Sequence, residues 1–303
     1  MNGKLLKELA QQLLEEQDLS SWLQLYCVQT WNKIGFARNR KGLKINETTI
    51  TQNLVFDFWL LAAESNLPIE LYESKNEKAN GNDLEIIVET DKGFLLFPCQ
   101  AKIIQKNNSY STIHHKNKSR SAYQMDMLLN YANRNKGIPI YLFYNIYSNY
   151  KRCYQIEEEV GFPLDYFGCS IISTNYLKEN FPVKKKNEKG KTVIPSFEDL
   201  HPFIALAIHD FFKDVQARDI NQLLNFIGHS QNDIHYYTEA ELQNDKLWKD
   251  MAPLPAIGFI IDEEKHKTLL NLLGNKVIPV FNPRFRIIIT KTRRQMEIVR
   301  YLG

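Results

Sequence analysis

The stretch NGNDLEIIVETDKGFLLFPCQAKI, residues 80–103, decides how this chain is read. Two extended runs, Asp83–Glu89 and Phe94–Ile103, flank Thr90-Asp91-Lys92-Gly93, a hairpin-type turn. Side chains of a strand alternate between its faces. Asp83 and Glu85 therefore share one face of their strand, and Gln100 and Lys102 share one face of theirs. Ile86, Val88, Phe97 and Cys99 fall on the other phase and read as a buried face. The short turn makes the strands neighbours, so the four polar groups are placed to converge. Gln100 and Lys102 also interrupt FLLFPCQAKII, a run apolar enough to be buried on both faces. A buried lysine needs a partner or a purpose.

Outward from this hairpin the pattern is that of a mixed α/β core. Upstream, residues 47–64 place Ile50, Leu54, Phe58 and Leu61 on one helical face, and a first extended run follows at Ile69–Glu73. Downstream come a polar loop at Gln105–Lys116, a helix near Asn117–Arg134 and a fully buried strand at residues 138–146. The order is helix, three strands, helix, strand. A further strand is expected at Gly168–Ser173. Residues 1–45 read as a helical extension, with Leu5, Leu6, Leu9, Leu13 and Leu14 spaced for one helix. A second helix runs from Ser20 or Ser21 to about Lys33. A basic, loop-like segment, Gly35–Asn46, leads into the core, which spans residues 46–180. Residues 181–303 form a C-terminal mixed α/β region packed on that core. In it, 197–228 reads as helical, Lys276–Phe281 and Phe285–Thr290 as strands, and Arg293–Leu302 as a helix.

Composition narrows the function classes. The chain has 303 residues, 44% hydrophobic and 24% charged, so it can bury a core and is not a disordered or low-complexity chain. No window reaches 18 uninterrupted apolar residues, which argues against a membrane span. The first residues, MNGKLLKELAQQLLEEQ, place glutamates and glutamines where an export signal needs an apolar run. A net charge of +3 is too small to prove a nucleic-acid partner, so any such footprint must be local. The four cysteines, Cys27, Cys99, Cys153 and Cys169, form no C-x-x-C pair. Zinc-knuckle and disulfide-framework readings are thereby set aside in favour of reduced thiols in the cytoplasm.

The residues of the hairpin suit a definite chemistry. A carboxylate at a strand end can hold a hard divalent cation, and the Gln100 amide oxygen with a backbone carbonyl can complete its inner sphere. A bound metal polarises a phosphoryl oxygen and acidifies a coordinated water. Lys102 is placed to orient that water or to stabilise charge on the phosphate. The plain alternative is a solvated polar strand face, which short D-x-E and nearby Lys patterns often mark.

The Asp83 … Gln100-Ala101-Lys102 arrangement, within this element order, resembles the D … (E/Q)-x-K signature of the PD-(D/E)XK nuclease superfamily, the restriction-endonuclease-like fold. The segments ETTITQNLVFDF, NGNDLEIIV, CQAKII, YQMDMLLNYA and PIYLFYN together resemble a little-characterised bacterial branch of it, over about residues 45–180. The resemblance implies that Asp83 is the principal metal ligand, that Gln100 stands where a second metal-associated acid is usual, and that Lys102 is the catalytic lysine. It implies Glu47, which opens the preceding helix, as a metal ligand or water-organising acid, with Glu85 on the right face but less securely matched. The implied cofactor is Mg²⁺, with Mn²⁺ able to substitute. The implied activity is phosphodiester hydrolysis, in DNA and by internal cleavage, and some such nucleases serve in defence against phage. The Gln100 departure removes one negative charge from the metal site and so weakens it.

Other residues carry less specific signals. Gln124 shares a helical face with Leu128 and Tyr131, which by itself reads as a helix edge beside the core, while the resemblance implies that a polar residue on this helix approaches the site or the DNA backbone. His114 and His115, with Lys116, Lys118 and Arg120, form a loop suited to phosphate contacts or to plain solvation. The basic runs at Lys184–Lys191 and at Arg284, Arg286, Lys291, Arg293 and Arg294 read the same way. His209-Asp210 lacks the companion ligands of a metal phosphohydrolase. No G-x-x-x-x-G-K-[ST], G-x-S-x-G or H-E-x-x-H occurs. The expectation is a Mg²⁺-dependent nuclease acting on DNA, as a homodimer or with a defence-complex partner and without a membrane. The alternative is a catalytically weak nucleic-acid- or partner-binding subunit on the same fold, favoured by the neutral Gln100.

Overall fold

The computed structural model describes residues 19–64, 69–74, 84–117, 122–183, 185–188, 190–216, 223, 234–242, 251–253 and 285–289. Two helices lead: α1 (Leu19–Arg38) and α2 (Glu47–Glu64). Strands β1 (Ile69–Ser74), β2 (Leu84–Thr90) and β3 (Gly93–Ile103) follow. Then come a small hairpin, β4 (Lys116–Asn117) and β5 (Ala122–Tyr123), helix α3 (Gln124–Arg134) and strand β6 (Ile140–Tyr144). The expected order of helix, three strands, helix and strand is therefore the observed order, apart from that hairpin.

β2 and β3 pair antiparallel around the Asp91-Lys92 turn, with Glu85 opposite Pro98 and Leu84 opposite Cys99. β3 and β6 run parallel, which requires a crossover, and α3 lies within it. The chain continues through α4 (Tyr150–Val160), β7 (Cys169–Ser173), α5 (Thr174–Asn180), α6 (Phe197–Leu200), β8 (Leu206–Ala207), α7 (Ile208–Gln216), α8 (Glu239–Leu242), β9 (Met251–Pro253) and β10 (Phe285–Ile289). One eight-stranded mixed sheet results, in the order β8-β7-β6-β3-β2-β10-β1-β9.

The sheet is buried on both faces because its central strands are apolar on both phases. Leu84, Ile86, Val88, Phe97, Cys99 and Ala101 pack with residues of α1, α2 and α7, including Leu23, Leu54, Phe58 and Phe211. On the opposite face Tyr141, Phe143 and Ile172 pack with Met125, Leu128 and Leu129 of α3. A Tyr26 hydroxyl hydrogen bond to the Ile50 carbonyl, 2.9 Å, ties α1 to α2. The stretches expected as core and C-terminal region thus share a single sheet, with β10 between β1 and β2, and α1 of the expected extension packs inside the core.

Several expectations about elements change. The helix expected over 117–134 begins at Gln124, because Lys116 and Asn117 pair with Tyr123 and Ala122 instead. The helix expected over 197–228 is broken. α6 ends at Leu200, since Pro202 has no N–H to continue the ladder, and the chain makes β8 before α7. The second helix runs past Lys33 to Arg38. The strand expected at 285–290 is β10. The elements expected at 3–17, Lys276–Phe281 and Arg293–Leu302 lie outside the described residues. No described helix is long and apolar enough to cross a membrane.

Candidate active site

β3 supplies the site's two central side chains. Alternation turns Cys99 and Ala101 toward α1 and α2 and leaves Gln100 and Lys102 on the face covered by α3. Both are buried, each at 2% exposure. α3 lies along this face, with Leu128 and Tyr131 directed at the sheet as their shared spacing with Gln124 predicts.

Lys102 is the meeting point. Its Nζ donates to Gln124 Oε1 at 2.8 Å and stands 3.6 Å from Glu47 Oε1. Gln124 is the first residue of α3, held there by its own N–H on the His115 carbonyl at 3.1 Å. Glu47 is the first residue of α2 and is partly exposed, which keeps its carboxylate in reach of solvent. Thr51, one turn on, hydrogen-bonds the Glu47 carbonyl at 3.0 Å and the Tyr144 hydroxyl at 2.7 Å, anchoring the start of α2 to β6. Two helix starts and one strand end thus converge on one ammonium. Its nearest partner is a neutral amide. Its carboxylate contact is longer than a tight charge-assisted bond of about 2.8 Å. The positive charge is under-compensated for a group so buried.

Four residues expected at the site, Glu47, Gln100, Lys102 and Gln124, are therefore brought to one region. Asp83 immediately precedes β2 but lies outside the described residues. Glu85 shares the expected face but has another task. It is fully buried, and its carboxylate is bound by the Arg286 guanidinium and, at 2.7 Å, by the Tyr131 hydroxyl. The resemblance offers Glu85 as a less securely matched site acid, and here its carboxylate is taken up by Arg286, because β10 inserts beside β2 and sets Arg286 opposite Glu85. Arg286, read from sequence as part of a basic run suited to phosphate contacts or to solvation, is 1% exposed. Its signal was a lone arginine inside an apolar strand, FRIII, the same interruption that marks Lys102.

The loop residues divide. His114 is half buried, with Nε2 3.4 Å from the Val193 carbonyl, and burial pushes its pKa down. His115 and Lys116 are exposed, and the Lys116 ammonium lies 6.0 Å over the Tyr123 ring. Lys118 and Arg120 lie outside the described residues. His209 packs against Tyr166 and Cys27, with Nε2 3.6 Å from Asp210. Among the described residues no three His, Cys, Asp or Glu side chains gather as a metal cluster. The donors at hand near Lys102, the Glu47 carboxylate and the Gln100 amide, are oxygens. They suit a hard cation such as Mg²⁺ and not a thiolate-seeking one. All four cysteines are free and buried.

No curated protein and no solved structure matches the chain. A family model matches it over residues 19–277, and its description is a family of unknown function, DUF6615.

Proposed function

The chain belongs to the DUF6615 family, a family of unknown function, and we propose that it is a metal-dependent nuclease hydrolysing phosphodiester bonds, with DNA as substrate and the cytoplasm as its place. The observation that carries the reading is Lys102: a buried ammonium on a central strand, held by an amide at 2.8 Å and a carboxylate at 3.6 Å. The order of α2, β1, β2, β3, α3 and β6 and the parallel β3–β6 pair support a restriction-endonuclease-like core for it.

In this reading Asp83, Gln100 and Glu47 would hold the metal. When bound, a divalent cation polarises a phosphoryl oxygen and acidifies water. The chain's own residues do the rest. Lys102 presents N–H donors to the negative charge that develops on the phosphate, in a site whose burial strengthens that attraction. Gln124 fixes the direction of Nζ. Glu47 accepts a proton or a water hydrogen bond at its solvent-facing carboxylate. Glu85 is neutralised by Arg286 and contributes no free charge to the site.

The test uses circular and linear DNA with Mg²⁺ or Mn²⁺ and compares wild type with Lys102→Ala. Wild type should nick or linearise the circle. The variant should lose at least about a hundredfold in rate, the scale of one preorganised transition-state donor, with a folded circular dichroism spectrum retained. Cleavage undiminished in Lys102→Ala would sink the assignment. The neutral Gln100 favours the second reading, a nucleic-acid-binding subunit with little catalysis. Metal-independent DNA binding with no product under either cation would select it.

A further inference from the structure

Residues 19–46 carry five cations, Lys33, Arg38, Arg40, Lys41 and Lys44, and no carboxylate. Lys33 acts on Asp57 of α2. The other four occupy the end of α1 and its connection to α2. Both ends of that connection are fixed at the carboxyl end of β3. At one, Arg38 Nη2 donates to the carbonyls of Ile104 and Gln105, at 2.7 and 2.8 Å. At the other, Glu47 stands 3.6 Å from Lys102. The connection therefore crosses the strand end that bears the site's lysine.

Its charges are exposed and uncancelled. Residues 39–44 are all exposed, and so is Lys106, the residue after Gln105. Among the described residues no carboxylate pairs with Arg40, Lys41, Lys44 or Lys106. Arg38 is held by neutral carbonyls, so its charge also persists. The Arg40 guanidinium lies 5.4 Å over the exposed Phe36 ring, which orients it outward. An ordinary solvated face intersperses the two signs, as α4 does with Lys151 and Arg152 beside Glu157, Glu158 and Glu159. A one-sign cluster repels itself unless an anion joins it.

We propose that the connection between α1 and α2, with Lys106, is the phosphate-binding rim of the site. It grips the sugar–phosphate backbone of a nucleic-acid strand whose reacting group lies at Lys102. The proposal rests on the nuclease reading for where the chemistry lies, but the grip is measurable without cleavage. The grip needs no base contact, so binding is expected to be insensitive to sequence and steeply dependent on salt.

The experiment is fluorescence anisotropy of a labelled duplex with the full chain in EDTA, over a series of salt concentrations. The proteins are wild type, the triple variant Arg40→Ala/Lys41→Ala/Lys44→Ala and a control, Lys92→Ala, at the opposite end of β3. The triple variant should bind at least about tenfold more weakly. Its log–log salt slope should fall by about 2–3, at about 0.9 for each phosphate left without its cation. Lys92→Ala should match wild type. Wild-type affinity and slope in the triple variant would overturn the rim, as would no duplex binding by wild type. Preferential binding to phosphatidylserine vesicles, abolished in the triple variant, would assign the cations to a membrane surface instead and also overturn it. Because these readings are made without metal, a wild type that binds through the rim but never cleaves would refute the nuclease reading alone.

Discussion

Glu85 and Lys102 are both ionisable, both buried and both on the α3 side of the sheet, yet the fold uses them oppositely. Glu85 is closed off by Arg286 and Tyr131, whereas Lys102 keeps one neutral and one distant partner. A buried ion pair contributes little net stability over apolar residues, but breaking it leaves an uncompensated charge. Arg286→Met should therefore cost about 3–5 kcal/mol in urea unfolding, and Glu85→Met/Arg286→Met should recover most of that loss. Additive losses in the double variant would show that the two groups do not act as a pair. Lys102 was legible in the sequence because strand alternation is a local rule, and the helical spacing of Gln124, Leu128 and Tyr131 gave their shared face, while the site role of Gln124 came from the resemblance. The fate of Glu85 was not, since its partner lies 201 residues away and reaches it only through the position of β10 in the sheet.

At the scale of elements, the site depends on how α1 and α2 are seated against the sheet. α1 approaches the start of β7 so closely that a Cβ built on Gly168 would lie 1.9 Å from the Cys27 carbonyl oxygen and 2.7 Å from its carbon. Backbone cannot yield there without sliding the whole helix. Gly168→Ala should cost about 3 kcal/mol or more, at the upper end of overpacking, and should perturb Arg38 at the far end of the same helix. Gly161 is the contrast. It caps α4 with φ +78° and nothing within 4 Å, so Gly161→Ala should cost only the left-handed penalty of about 1 kcal/mol. Equal melting temperatures for the two variants would refute the steric account. Helix α2 could be read from sequence because its apolar residues recur at helical spacing, and β2 and β3 because two extended apolar runs flank a turn. The break after α6 is hidden because apolar periodicity continues across His201-Pro202, and the hairpin before α3 because two-residue strands have no period to detect.

Across the whole molecule, a buried polar network runs through the core on the α3 side of the sheet and ties together segments far apart in sequence. The Tyr110 hydroxyl donates to Asn145 Oδ1 at 2.6 Å, and Asn145 Nδ2 donates to the Phe167 carbonyl at 2.6 Å and to Ser170 Oγ at 2.9 Å. Ser170 Oγ lies 2.8 Å from His201 Nε2, while Nδ1 lies 3.1 Å from the Phe197 carbonyl. A carbonyl can only accept, so Nδ1 carries the proton and Nε2 accepts from the serine. The ring is thus held neutral, and burial pushes its pKa down to about 3. The linkage follows from that direction. Between the folded value near 3 and the unfolded value of about 6.5, the unfolded chain binds a proton that the folded chain refuses. Stability from this group is complete above about pH 6.5 and declines as pH falls toward 3, by about 1.4 kcal/mol per pH unit across the middle of that window. Carboxylates titrate in the same range, so the measurement is a difference. Urea unfolding of wild type and His201→Gln at pH 7, 6, 5 and 4 should show the wild type more stable at pH 7 and the gap narrowing steadily with acid. A gap that stays constant from pH 6 to pH 4 would mean that the ring is charged in the folded state and that the network has a different proton arrangement.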